Sequence, residues 1–153
     1  MRDAIAADTK RELLSFRVGS QEFCIDVMAV REIRGWTQET RLPHAPSFVR
    51  GVVNLRGAVI PIVDLGERLG LERTDASSQS VIIVAQVGAQ FVGLLVSAVC
   101  DIFNADDSKI QPTPEVASGP TRSYMEGLLT VEDRMVGVLR TDQLVPALEP
   151  EAA

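Results

Sequence analysis

Apolar side chains recur along this chain in short runs that turn-forming residues interrupt. The pattern predicts a strand from Leu13, a turn at Gly19-Ser20 and a second strand through Phe23-Cys24-Ile25. Residues 27–33 continue as an extended or briefly helical piece, and the prolines at 43 and 46 interrupt any helix after it. Aromatic residues are only 5% of the chain, so aliphatic and β-branched side chains must fill the core, which favours strands.

The segment 51–65 predicts a β-hairpin, in which the turn Arg56-Gly57 separates two apolar strands. Residues 66–71 predict a short helix that Gly70 ends. Residues 72–80 are rich in Ser, Thr and Asp, and they form a polar connection that is the best candidate for a boundary between subdomains.

Beyond that boundary the pattern repeats. Val18-Gly19 recurs 69 positions later as Val87-Gly88, and the match continues without a gap until Pro43 falls on Pro112. Later the displacement is 76, and the hairpin turn Arg56-Gly57 then falls on Glu132-Asp133. The repeat predicts an all-β fold of two pseudo-equivalent subdomains, at about 13–78 and 79–148, which suggest two small SH3-like barrels with room for an exchange of terminal strands. Residues 1–11 and 150–153 are expected to be flexible tails flanking a single domain, 12–149.

The chain offers little material for catalysis. A catalytic triad needs an imidazole, and the one histidine, His44, lies between prolines in a predicted loop, where a solvated side chain is the better interpretation. Cys24 and Cys100 lack metal-ligand spacing and are expected to be buried reduced thiols. No glycine-rich phosphate loop is present, and the adjacent acids Asp106-Asp107 and Glu132-Asp133 fit polar turns. We therefore expect no enzyme activity, no cofactor and no metal, and instead a binding module whose cleft between subdomains takes a partner.

Charge is unevenly distributed. The net charge is −6, and all of the surplus lies after residue 78, since residues 1–78 hold 11 basic and 11 acidic side chains while 79–153 hold 4 and 10. Individually, the arginines of the first half fit solvated edges and loops. As a group they could meet an acidic partner: Arg31, Arg34, Arg41, Arg50 and Arg56, opposed there by Glu32 and Glu39.

The same charge balance argues against nucleic acid, because a chain with pI near 4.8 lacks the necessary positive field. The first residues lack the apolar stretch of a signal peptide, and no apolar run reaches the roughly 18 residues that span a bilayer. We therefore expect a cytoplasmic protein without membrane insertion.

The hairpin segment 51–65 closely resembles the signature of the CheW family, above all in Asn54-Leu55-Arg56-Gly57 within its apolar frame. Other segments fit the same family in order and spacing: Val30-Arg31-Glu32-Ile33, Leu42-Pro43, Pro46-Ser47-Phe48-Val49, Val81-Ile82-Ile83-Val84, Gly93-Leu94-Leu95-Val96 and Ile110-x-Pro112-x-Pro114. The likeness runs from about Leu13 to Leu148. Related domains occur in the kinase CheA and in CheV, but 153 residues leave no room for a kinase core or a receiver domain, so the free-standing coupling protein fits best.

The resemblance implies two five-stranded SH3-like barrels that touch a chemoreceptor tip and the CheA regulatory domain together, with self-association in array rings as a further expectation. It implies a receptor-facing set of Glu32, Arg56, Val81, Val99 and Ile102, and coupling positions at Val30, Gly51 and Gly127. Kinase contact is expected mainly on the first barrel. Plain core packing remains the alternative for the apolar members, and backbone geometry for the glycines. Arg56, at a hairpin tip, is hard to explain by packing.

Two departures from the family pattern stand out. Ser97 occupies a position where Asp is frequent, which weakens a local hydrogen-bonding role, and Gly137 and Arg140 interrupt the closing strand, which predicts a looser second barrel. Two other functions stay open: coupling in a chemotaxis-like pathway that controls pili or development, and a regulatory module that senses a small molecule.

Overall fold

Ten β-strands dominate the computed structural model, which describes residues 10–77, 79–113 and 124–144. The mainly β fold class is thereby confirmed. Lys10 and Arg11, assigned above to a tail, belong to the first strand, whereas the predicted tail 150–153 lies outside the described residues.

The strands form two five-stranded sheets. The terminal sheet, drawn from both ends of the chain, has the order β8-β1-β2-β10-β9 and consists of β1 (Lys10–Val18), β2 (Gln21–Asp26), β8 (Ala98–Asp106), β9 (Met125–Val131) and β10 (Arg134–Leu139). The central sheet has the order β3-β6-β7-β5-β4 and consists of β3 (Val30–Gly35), β4 (Val49–Leu55), β5 (Ala58–Asp64), β6 (Val81–Val87) and β7 (Gln90–Val96). Two short helices, α1 (Leu65–Arg68) and α2 (Thr141–Leu144), follow β5 and β10, and 3₁₀ turns lie at Val27–Ala29 and Asp107–Lys109.

The two sheets are pseudo-symmetric. Their strand orders coincide when β1 to β5 are matched in turn with β6, β7, β8, β9 and β10. The parallel pairs β2–β10 and β5–β7 are also equivalent under this matching, while the other pairs are antiparallel.

The predicted division of the chain near residue 78 does not follow the sheets. The hairpin β1–β2 of the first half joins β8, β9 and β10 of the second, and the hairpin β6–β7 joins β3, β4 and β5. Each half therefore gives its leading hairpin to the other half's sheet, and the exchange involves hairpins rather than single terminal strands. The parallel pairs β2–β10 and β5–β7 join strands from different halves of the chain. Parallel neighbours are not connected by a short turn, so the sequence carries no local signal for these pairings.

One part of the predicted repeat has the wrong register. Isolated bridges join Thr40 to Val52 and Gln111 to Leu128, so Thr40 corresponds to Gln111 at a displacement of 71. The ungapped pairing of Pro43 with Pro112 is therefore incorrect. Before these bridges, β8 has nine residues where β3 has six, and the 3₁₀ turn Asp107–Lys109 follows β8.

Both predicted hairpin turns are confirmed. Arg56 and Gly57 have φ of 53° and 87°, and Glu132 and Asp133 have φ of 51° and 71°. Two consecutive positive φ angles define the type I′ turn, whose twist matches that of the flanking strands. The Asn54 side chain accepts a hydrogen bond from the Gly57 N–H at 3.1 Å, which holds the first of these turns.

Three clusters of buried side chains make up the core. The largest contains both sheets, with Leu14, Phe16 and Ile25 meeting Ile83 and Leu94, so it is the interface that joins them. A second cluster belongs to the central sheet and a third to the terminal sheet. Burying one such side chain contributes about 1.5–3 kcal/mol to the free energy of folding. The shared cluster is therefore the main stabilising contact between the two sheets.

The closing strand β10 is not loose at Gly137, contrary to the prediction. A Cβ on Gly137 would lie 2.8 Å from the Phe23 ring and 3.0 Å from the Met125 methyl group. The ring of Phe23 therefore packs against the backbone where a side chain would otherwise stand, and Val136 and Val138 on either side are fully buried.

Candidate functional site

Glu32 and Arg56 lie together. Nη2 of Arg56, at the β4–β5 turn, donates to Oε1 of Glu32 on β3 at 2.6 Å, and Arg34 approaches the other carboxylate oxygen at 3.2 Å. β3 and β4 are opposite edges of the central sheet, so this ion pair spans its two edges and shows that the sheet is curled. The Arg56 side chain is 75% exposed and Glu32 only 24%.

The hydrogen bond from Arg56 is the main reason that the pKa of Glu32 is lowered, and the same bond raises the pKa of Arg56. Both groups are thus charged at neutral pH. The pair presents an exposed guanidinium, held from one side by a carboxylate, with its remaining donors directed to solvent.

The apolar members of the predicted receptor set lie on other surfaces. Val99 and Ile102 are on β8, the edge strand of the terminal sheet, and Val81 begins β6. Val81 and Val99 are partly buried against the shared cluster, whereas Ile102 is 49% exposed. Glu32 pairs instead with Val84, which faces the central sheet's own cluster. The predicted set thus divides into a charged pair at the curled edge, two valines packed against the shared cluster, and the half-exposed Ile102 on an edge strand.

The three predicted coupling positions also differ in character. Val30 on β3 is partly buried against the shared cluster, in the position equivalent to Val99. Gly51 and Gly127 are buried, and a Cβ on either would lie 2.2 Å from a backbone carbonyl oxygen, of Thr40 and Gln111 respectively. Glycine is required at both positions by the close approach of a neighbouring segment.

The arginines of the first half do not form one basic surface. Arg50 is only 13% exposed and is paired with Glu39 at 3.0 Å and with fully buried Asp64 at 3.1 Å. Arg31 donates to the Gln86 side chain. The hypothesis of a five-arginine patch is therefore wrong for Arg50, which serves the interior.

The Arg50 network is the structural feature that the sequence analysis missed. Asp64 caps α1 by accepting from the Glu67 N–H at 3.2 Å, and it also accepts from the Thr74 N–H at 3.0 Å. Glu39 in turn accepts from the Trp36 indole N–H at 3.0 Å. An acidic residue before a short helix was the available signal, because such residues commonly cap helices.

The two thiols differ. Cys24 is buried, as predicted, and burial raises its pKa to about 12. Cys100 is exposed, contrary to the prediction. Ser15 pairs with Asp101 and Phe16 with Val99, so Cys100 is the extra residue of a β-bulge, which interrupts the alternation of side chains.

His44 is exposed in a turn, as predicted. Within residues 10–77, 79–113 and 124–144, no group of three His, Cys, Asp or Glu side chains is arranged to hold a metal ion. Ser97 retains a hydrogen-bonding role, since its hydroxyl accepts from the Gly19 N–H at 3.0 Å. The helices in the described part of the chain are too short to cross a membrane.

Comparison with known proteins places these features in a family. A family profile described as CheW-like domain matches residues 12–149. The chain belongs to the CheW family. It is 55% identical to the chemotaxis protein CheW of Rhizobium meliloti, over 94% of this chain and 92% of that protein, and 51% identical to the probable chemotaxis protein CheW of Rhizobium etli, with the same coverage.

A solved structure agrees. The crystal structure of the scaffolding protein TtCheW from Thermoanaerobacter tengcongensis superposes with a TM-score of 0.81, at 27% identity, over 93% of this chain and 92% of that one. The CheW-like fold of two five-stranded sheets is thereby confirmed, and the chain is a chemotaxis coupling adaptor of the CheW family. The pili and small-molecule alternatives are not favoured by these similarities.

Proposed function

We propose that this CheW-family adaptor joins the cytoplasmic tip of a methyl-accepting chemoreceptor to the regulatory domain of the histidine kinase CheA, and that it catalyses no reaction. The observation that carries the proposal is the exposed Arg56, held 2.6 Å from Glu32 at a hairpin tip. A guanidinium fixed in this way is organised before binding, so less conformational entropy is lost when it meets a partner carboxylate.

Apolar contact would come from Ile102, which is 49% exposed on the edge strand that also carries the partly buried Val99. A receptor tip is a helical hairpin, and a helix is recognised by placing its apolar stripe against such a surface. Acidic side chains that flank the stripe would pair with Arg56. Val81 and Val30 pack against the same shared cluster as Val99.

Gly51 and Gly127 act in the proposal through structure rather than through contact. Each allows a neighbouring segment to cross its sheet edge, and substitution would move that edge. Coupling then arises because one rigid adaptor holds receptor and kinase together and raises their effective concentration. The proposed location is the cytoplasm, at membrane-associated receptor arrays, where self-association of several copies would extend the assembly.

Arg56→Ala tests the proposal. We expect the variant to fold with an unchanged circular dichroism spectrum, because the side chain is mostly solvated, and to recover several-fold less receptor fragment in co-purification with a CheA-type kinase. Arg134→Ala is the matched control, since Arg134 is also an exposed arginine paired with a glutamate, on the terminal sheet. Equal recovery by both variants, or failure of the unmodified chain to bind receptor and kinase, would contradict the proposal.

A further inference from the structure

Arg68, the last residue of α1, contacts both sheets. Its guanidinium carbon lies 4.5 Å from the ring centroid of Phe48 and 4.6 Å from that of Tyr124. Its Nε donates to the main-chain carbonyl of Leu144, the last residue of α2. Phe48 directly precedes β4 of the central sheet, whereas Tyr124 and Leu144 directly precede β9 and end the helix after β10, both in the terminal sheet. The side chain of Arg68 therefore bridges the two sheets.

The residues that Arg68 contacts correspond to one another in the repeat. At the displacement of 76, Phe48 falls on Tyr124 and Arg68 falls on Leu144. Equivalent hydrogen bonds support this match: the carbonyl of each aromatic residue accepts from the main-chain N–H just before the following short helix, at 2.7 Å for Phe48 and 2.8 Å for Tyr124. Arg68 thus lies where the two halves of the repeat meet, in contact with its own equivalent.

The two equivalent residues have different surroundings. Leu144 is fully buried in the shared cluster, whereas Arg68 is only partly buried. Among the residues that the structure describes, Arg68 forms no ion pair, so two ring faces and one carbonyl hold its charge. A cation within about 6 Å of a ring centroid is attracted by the ring quadrupole. Since the guanidinium is planar and its donors point in fixed directions, these contacts define an orientation.

The remaining contacts between the sheets constrain their angle less. The apolar contacts of the shared cluster stabilise in proportion to buried area and have no preferred direction. The chain itself passes from one sheet to the other at residues 27–29 and at Ser97. Ser97 also binds the Arg17 carbonyl and the Gly19 N–H, but these hydrogen bonds belong to the connection itself. Arg68 lies at neither connection, and its hydrogen bond weakens when the sheets rotate against each other, because such bonds depend on angle.

We propose that Arg68 is a positioning residue, which fixes the angle between the two sheets and thereby the separation of the two parts of the receptor surface. Arg56 belongs to the β4–β5 turn of the central sheet, and Ile102 to the edge strand of the terminal sheet. A receptor tip that meets both side chains needs them at one separation. This inference rests on the proposed function, and it adds a residue that acts without touching the receptor.

The test measures residual dipolar couplings of the full ¹⁵N-labelled chain and, by calorimetric titration, its affinity for a helical-hairpin fragment of a chemoreceptor tip. In the unmodified chain one alignment tensor should fit the amides of both sheets. Arg68→Met removes the charge and the donors but keeps a long side chain. We expect each sheet of this variant to fit its own tensor, the joint fit to fail, and the receptor affinity to fall several-fold.

Arg73→Met is the matched control, because Arg73 is an exposed arginine whose ion pair, at 3.5 Å, is with Glu67 of α1. It should keep the joint fit and an affinity within twofold of the unmodified chain. Arg68→Lys retains a cation near the rings but not the planar donors, so both readouts should fall between those of the unmodified chain and Arg68→Met. If Arg68→Met does not fold, Tyr124→Leu takes its place, with the same failure of the joint fit expected.

A joint fit retained in Arg68→Met would overturn the role of Arg68 in the angle, and a failed joint fit with unchanged affinity would overturn its role in receptor binding. A lowered affinity with the joint fit retained would show direct contact with the receptor, which also overturns positioning. If the unmodified chain does not bind the receptor fragment, the proposed coupling itself fails, whereas the dipolar couplings still decide whether Arg68 fixes the angle.

Discussion

The pair Arg50–Asp64 is the most buried ion pair among the described residues, with side chains 13% and 0% exposed. Its carboxylate is fully satisfied, since Arg50 and the N–H groups of Glu67 and Thr74 all donate to it. Breaking such a pair from one side is costly because the remaining charge stays buried without its partner.

Arg50→Ala should therefore lower the free energy of unfolding by about 3–5 kcal/mol. Arg140→Ala is the matched control, because Arg140 is exposed and its one side-chain hydrogen bond among the described residues is a long one, to the Met125 carbonyl at 3.5 Å, so its loss should cost less than about 1 kcal/mol. Urea unfolding followed by circular dichroism measures both. If both variants lost a similar free energy of unfolding, the burial of the Arg50–Asp64 pair would not be what makes it stabilising.

The Glu32–Arg56 pair makes stability depend on pH in a defined direction. Because the pKa of Glu32 is lowered in the folded chain, its contribution is present above the unfolded-state pKa of about 4.3 and is lost as the pH falls through the lower folded value. Arg56→Ala should raise the pKa of Glu32 toward its ordinary value, as followed by NMR of the side-chain carboxyl carbon. Arg34→Ala should raise it less, and an unchanged pKa in Arg56→Ala would refute the assignment.

Sheet edges depend on two glycines in equivalent positions. A Cβ on Gly51 or Gly127 would meet a backbone carbonyl oxygen at 2.2 Å, and Gly51 also has a φ of +148°. A backbone oxygen cannot rotate away as a side chain does, so the crossing segment must be displaced.

Gly51→Ala and Gly127→Ala should each destabilise the chain by about 1–3 kcal/mol or more, because overpacking forces backbone shifts. Gly35→Ala should change stability by less than about 0.5 kcal/mol, since nothing lies within 4 Å of its added Cβ and its φ is not positive. Thermal unfolding of the three variants provides the comparison. A normal melting temperature for Gly51→Ala with lost coupling would instead indicate a direct contact with the partner at that position.

The two sheets share one cluster of buried side chains, so neither has a complete core alone. Since each half of the chain also supplies a hairpin to the other half's sheet, unfolding one sheet removes strands and apolar contacts from both. We expect a single cooperative transition.

Two probes report on the sheets separately. Trp36 packs against the central sheet's own cluster, and Cys24 is buried in that of the terminal sheet. In a Cys100→Ser background, which removes the exposed thiol, the urea midpoints from Trp36 fluorescence and from alkylation of Cys24 should coincide, and Cys24→Ser/Cys100→Ser is the control without an alkylation signal. Midpoints separated by more than the error of measurement would show two independent folding units.

Local patterns were sufficient for the strands, for both type I′ turns and for the duplication, because these depend on side-chain alternation and on residues near in sequence. The same patterns gave the wrong environment for Cys100 and for Arg50. The environment of Cys100 depends on a β-bulge, which interrupts the alternation of side chains along its strand. The environment of Arg50 depends on its ion pair with the carboxylate of Asp64, 14 residues away in the sequence. The family resemblance implies a shared role for Glu32 and Arg56, but nothing in their spacing indicates that the two side chains are bonded to each other.

By itself the amino-acid sequence determined which segments are extended, where they turn, and that the chain repeats one design with few aromatic side chains. Only the tertiary structure decided which strands share a sheet and which backbone carbonyl lies against Gly51. It also decided that Arg140 lines a cavity, whereas Asp64 accepts hydrogen bonds from the backbone of the chain. The reason is physical: alternation selects the face of a strand that is buried, but several pairings bury the same face. Three-dimensional packing and the pairing of buried charges select among them.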